Sequence, residues 1–155
     1  MKPAVYSLPA AIAAGIALAA AWQAGADGDM VQFPGEYAGG VHYATVNRGN
    51  VREELFTSQA AIDALKAGRP FPSGTVITME DYRSNELYRY VVMEKRTGWG
   101  SGHPADLRTG EWEFQWFNPD RTVKAGENLD RCRSCHTSQA AQDFVFTADR
   151  IKGAP

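Results

Sequence analysis

Residues 87–95 read LYRYVVMEK and residues 111–117 read EWEFQWF. On an extended chain the first stretch puts Tyr88, Tyr90 and Val92 on one side and Arg89, Val91 and Met93 on the other. In the second, Trp112, Phe114 and Trp116 share a side. A period of two, carried by aromatic and β-branched residues, is the pattern of a strand. Between them RTGWGSGHPADLRTG, residues 96–110, is glycine-rich and polar, which makes it a loop. Upstream, the turn Pro72-Ser73-Gly74 leads into GTVITMEDY, residues 74–82, a third expected strand.

Working back from that strand, residues 51–74 read VREELFTSQAAIDALKAGRPFPSG. Ala60 to Lys66 are good helix formers, Ser58 is a natural cap, and Gly68 stops the helix before Pro70. Asn50 is suited to cap an earlier turn over Val51 to Phe56. Three strands therefore follow an N-terminal helical part. The expected fold is α+β, an antiparallel sheet with flanking helices. A chain of 155 residues fits one domain, and its apolar and charged fractions are those of a globular protein. The formal charge of −2 argues against a basic nucleic-acid binder.

The segment after the strands carries the chemistry. RCRSCHTSQ, residues 131–139, holds both cysteines of the chain, Cys132 and Cys135, followed directly by His136. A single disulfide, a thioredoxin-like pair, a zinc site and covalent haem attachment all use cysteines. The redox motif belongs near the start of an α/β domain, and zinc needs four ligands, whereas His42 and His103 are far away in sequence. Cys-x-x-Cys-His is the spacing of c-type haem. On one helical turn two thiols can meet two vinyl groups on one porphyrin edge, and the next residue projects beneath the ring as proximal iron ligand. The expectation is one haem c, held near the C-terminus by Cys132 and Cys135 with His136 on iron.

The N-terminus reads MKPAVYSLPAAIAAGIALAAAWQAGADGD, residues 1–29. Lys2 precedes an apolar stretch over residues 5–21, and Ala24-Gly25-Ala26 is a small-x-small cleavage pattern. Residues 1–26 are expected to be an export leader, with an uncleaved membrane anchor over 5–21 as the alternative. Residues 27–155 would then be the mature domain. Export to the periplasm agrees with haem c, which is attached outside the cytoplasm.

GRPFPSGTVITMEDY (68–82), YVVMEK (90–95), GEWEFQWF (110–117) and CRSCHTSQAAQDFVFT (132–147), in that order and spacing, resemble the cytochrome P460 family, whose relatives include the cytochrome c′-beta group. The resemblance runs from about Val31 to Arg150. It implies a mainly antiparallel sheet with helices, one haem c, a proximal histidine at His136, and often a homodimer. Members that oxidise hydroxylamine have a lysine cross-linked to the haem edge and a distal carboxylate. Met79 stands where that lysine is expected, which argues against the cross-link and the enzyme reading; Lys95 is the nearest alternative, or a solvated strand residue.

Several residues keep two readings. Met79, and less so Met93, is a distal thioether ligand or a core methionine. His42, read as preceding the first helix, and His103, read in the loop, are distal ligands or surface histidines. Trp112, Phe114 and Trp116 form the core face of the sheet or an aromatic cap over the distal haem face. Glu111 and Glu113 supply a distal general base or are exposed strand carboxylates. Arg131 and Arg133 pair with haem propionates or face solvent. The expected function is an exported monohaem c-type cytochrome passing electrons to a redox partner protein. Hydroxylamine oxidation and nitric oxide binding are the alternatives.

Overall fold

The computed structural model describes Met1 and residues 30–155. The leader expected over residues 1–26, with its apolar stretch 5–21, lies outside the described residues apart from Met1. Among the described residues no helix is long and apolar enough to cross a membrane.

The chain folds as β1 (Val41–Arg48), β2 (Val51–Thr57), α1 (Gln59–Lys66), β3 (Val76–Arg83), β4 (Glu86–Lys95), β5 (Trp112–Phe117), α2 (Asp130–His136) and α3 (Ala148–Lys152). The strands form one sheet in sequence order, each antiparallel to its neighbour. The α+β expectation holds. The three expected strands are β3, β4 and β5, and the expected helix is α1, where Ser58 Oγ accepts from the Ala61 N–H at 3.2 Å. At its other end Gly68, at φ +69, lets Gly68 N–H reach Leu65 O and Arg69 N–H reach Ala64 O, a Schellman ending.

The helical turn expected over Val51–Phe56 is instead strand β2, and β1 precedes it. Glu53, Leu55 and Thr57 alternate inward. The register Arg48↔Val51 leaves Gly49-Asn50 as a two-residue hairpin turn, with Gly49 at φ +62. Ser84 and Asn85 make the equivalent turn between β3 and β4, both at positive φ.

Both faces of the sheet are covered. On one face Leu55, Ile77, Met93, Trp112 and Phe114 pack with Ala61, Ile62 and Leu65 of α1 and with Val145, Ala148 and Ile151 near the C-terminus. On the other face Tyr90, Val92 and Phe117 pack with Val31, Phe33 and Tyr37 from the segment before β1. A bulge at Tyr43 buries both Tyr43 and Ala44, and the Tyr43 hydroxyl meets Thr147 Oγ1 at 2.8 Å, tying β1 to the start of α3.

Candidate functional site

The first face does not close completely. A cavity of about 400 Å³ opens between the sheet and the C-terminal segment, within the range of cofactor sites. Leu55, Ile77, Met79, Val91, Met93 and Phe114 form its sheet wall, and His136, Val145 and Phe146 face them. Arg48, Glu53 and Arg150 are the charged residues of the lining. Antiparallel register sets the wall: Leu55, Met79, Val91 and Trp116 align across four strands, and Ile77, Met93 and Phe114 in the next row.

Helix α2 carries the cysteine motif. Both thiols are free. Cys132 packs against the core, while Cys135 is exposed. Burial pushes the Cys132 thiol up, opposed by the nearby Trp116 indole and the charge of Arg133. His136 lies between Phe114 and Phe146, with ring centroids 4.8 and 5.0 Å away. Its Nδ1–H donates to the Phe144 carbonyl at 2.6 Å, which leaves Nε2 with the ring's lone pair. Burial pulls the imidazole below its ordinary value and the carbonyl bond opposes it. A neutral imidazole on a cavity wall, its second nitrogen already oriented, is what a metal ligand requires. Two free thiols on the same helix turn and an apolar wall opposite complete a donor set that fits haem.

The Phe144 carbonyl is aimed by an irregular stretch. Asp143 and Phe144 are both left-handed, at φ 51 and 63. The Asp143 Oδ2 accepts the Phe71 N–H at 3.0 Å and is 2.6 Å from Lys95 Nζ. Gly110 faces the Phe144 ring so closely that a Cβ there would lie 2.8 Å from it.

Met79 and Met93 both line the cavity, Met79 partly exposed and Met93 buried. Trp112 and Phe114 are core residues, and Trp116 is half-buried under the Arg89 guanidinium at 3.8 Å. The other candidates are elsewhere. His42 pairs with Glu54 at 2.7 Å beside Phe56, on the face away from the cavity. His103 is buried, not at the surface, because the loop folds onto β5 and hands it to Glu113. Glu113 is buried between His103 and Arg133, and Glu111 accepts the Gly100 N–H at 3.2 Å, so neither carboxylate reaches the cavity lining. Arg133 is buried, 2.7 Å from Glu113 and 2.9 Å from Asp130, and does not face solvent; Arg131 is exposed. Lys95 is neither solvated nor unattached, since Asp143 holds it.

Sequence reasoning missed Glu53, Arg48, Arg150, Asp143 and Phe144. The last two stand in the quoted run after the motif, where their spacing to His136 was the available signal. The model of the Cytochrome P460 family matches residues 40–147 of the chain. No curated protein matches it.

Proposed function

The chain belongs to the cytochrome P460 family, which implies a haem cofactor, and from that membership we propose that it is an exported monohaem c-type cytochrome that transfers electrons. The observation that carries the reading is His136: its Nδ1–H is committed to Phe144, the residue lines the cavity, and the helix that it ends carries two free thiols. Cys132 and Cys135 would hold the group through thioethers and His136 Nε2 would face iron. Bound there, haem supplies a one-electron iron centre. Leu55, Val91 and Phe114 would set an apolar wall against a bound haem and so limit solvent reorganisation around a change of charge. Arg48 and Arg150, not Arg131 and Arg133, are the cations of the lining and suit propionate carboxylates. The Met79 thioether is the wall's candidate sixth ligand, with Met93 the alternative.

A second reading, binding of a small neutral ligand such as nitric oxide, is favoured by one observation. Among the described residues His42 and His103 are both paired away from the cavity, so no second imidazole is offered to the iron. Hydroxylamine oxidation has less support. Met79 replaces the expected lysine, and the carboxylate in the lining, Glu53, is ion-paired to Arg48.

A pyridine haemochrome assay on denatured, matured protein tests attachment, with Cys132→Ala/Cys135→Ala as control. Haem that separates from the parent chain on denaturation overturns the c-type reading. Optical spectra of the reduced protein with and without nitric oxide then separate the functions. Sharp α and β bands indifferent to nitric oxide, lost in Met79→Ala, support electron transfer through a methionine-ligated iron. A broad spectrum that shifts with nitric oxide supports the second reading. A Soret band far to the red of ordinary haem c would revive hydroxylamine oxidation.

A further inference from the structure

Lys95 and Asp143 are 48 positions apart and belong to different parts of the fold. Lys95 ends β4, where its backbone N–H donates to Thr75 O at 2.9 Å and its carbonyl accepts the Gly74 N–H at 2.6 Å. It is therefore fixed to the sheet. Its side chain is 13 % exposed, and the ammonium meets the carboxylate of Asp143, whose side chain is 21 % exposed, at 2.6 Å. The same carboxylate oxygen takes the Phe71 N–H. Asp143 and Phe144 are successive non-glycine residues in the left-handed region, a conformation that persists only where surroundings hold it. The carboxylate contacts hold the first; the Phe144 N–H to Gln139 O at 2.8 Å and the bare Cα of Gly110 accommodate the second. The product of this stretch is one carbonyl pointing at one imidazole N–H, 2.6 Å away.

We propose that Lys95 and Asp143 are positioning residues for His136: their ion pair fixes the backbone that aims the Phe144 carbonyl at Nδ1–H, and thereby sets how strongly Nε2 donates to iron. The inference rests on the haem reading above. A histidine that donates its outer N–H to a carbonyl is a more basic ligand, and loss of such a partner costs about 10–100-fold in metal affinity or activity. A more basic ligand stabilises the oxidised iron. Loosening the pair lets the carbonyl drift, weakens that donation, and raises the reduction potential. The rigidity of the sheet is passed to the imidazole through Lys95, Asp143 and Phe144 in turn.

The test uses the full chain matured with haem, as the parent and as Lys95→Met, Asp143→Asn, the double variant and Lys95→Arg. Asparagine at 143 keeps an acceptor for the Phe71 N–H and tolerates the left-handed conformation, so that variant isolates the ion pair even if Lys95→Met fails to fold. Pyridine haemochrome is measured first on each. Midpoint potential and the ferrous iron–histidine stretch by resonance Raman follow. The expected result is a rise in potential equal to about a tenfold change in the one-electron equilibrium constant, ~59 mV, with a lower stretch frequency. The double variant should match the larger single effect, since the two share one interaction, and Lys95→Arg should recover most of the parent value. Unchanged potential and stretch in both single variants with haem attached would overturn the inference and leave the haem reading standing, even if thermal stability falls. Absence of covalent haem in the parent would overturn both.

Discussion

Arg133 stands between the two cysteines, yet its side chain is 1 % exposed and its guanidinium is bonded to Glu113, itself fully buried. The pair clamps α2 to β5 and so sets which side of the helix meets the cavity. Breaking a buried pair by removing one partner costs about 3–5 kcal/mol. Arg133→Met should lower the urea midpoint accordingly, and adding Glu113→Gln should restore part of it; an unchanged midpoint in the single variant would count against the clamp. His136 makes a pH prediction for haem-free protein. Burial holds its imidazole below the ordinary value, whereas the unfolded ring takes up a proton below about pH 6.5. In that window the unfolded state binds more protons, so the stability present above it is lost as pH falls toward the folded value. Between about pH 7 and pH 5.5 the melting temperature of haem-free parent should fall more steeply than that of His136→Gln. Parallel profiles would mean that the ring titrates alike in both states.

At the scale of elements, caps and turns lend themselves to direct test. Ser58→Ala removes the α1 cap contact and should cost about 1 kcal/mol in chemical denaturation. Gly110→Ala puts a Cβ 2.8 Å from the Phe144 ring at a φ of +59. It should displace Phe144 and reduce haem retained per chain in a haemochrome assay; full retention would mean that the ring moves without disturbing the carbonyl. The elements most legible in the sequence were those with local punctuation. α1 had a serine cap and a glycine stop, and β3 to β5 had clean alternation or a Pro-Ser-Gly turn. β2 was misread because VREELF contains good helix formers behind an asparagine that could cap them. The Gly49-Asn50 pair was the hairpin signal, and pairing on both sides of β2 overrode the local preference. The Cys-x-x-Cys-His motif was legible because the chemistry expected of it fixes its spacing. Its support was not, since the Lys95–Asp143 and Glu113–Arg133 pairs join residues 48 and 20 positions apart, and no periodicity reports such contacts.

Over the whole molecule, the sheet is packed on both faces and a cavity opens on one of them, under α2 and the segment before α3. Filling it with a tethered group should stabilise the fold by giving the cavity wall packing partners that it otherwise lacks. Haem-loaded protein should therefore melt well above Cys132→Ala/Cys135→Ala, by an amount equivalent to a few kcal/mol; equal melting temperatures would mean that the cavity wall needs no partner. The strand order carries a consequence for biogenesis. Each strand pairs with the next in sequence, so the sheet is complete at Phe117, fifteen residues before Cys132 is reached. Nearest-neighbour pairing closes quickly because little loop entropy is lost at each step. A chain made from its N-terminus thus has the sheet wall of the cavity in place before the segment with Cys132, Cys135 and His136 emerges, and residues 145–150 close over that wall last.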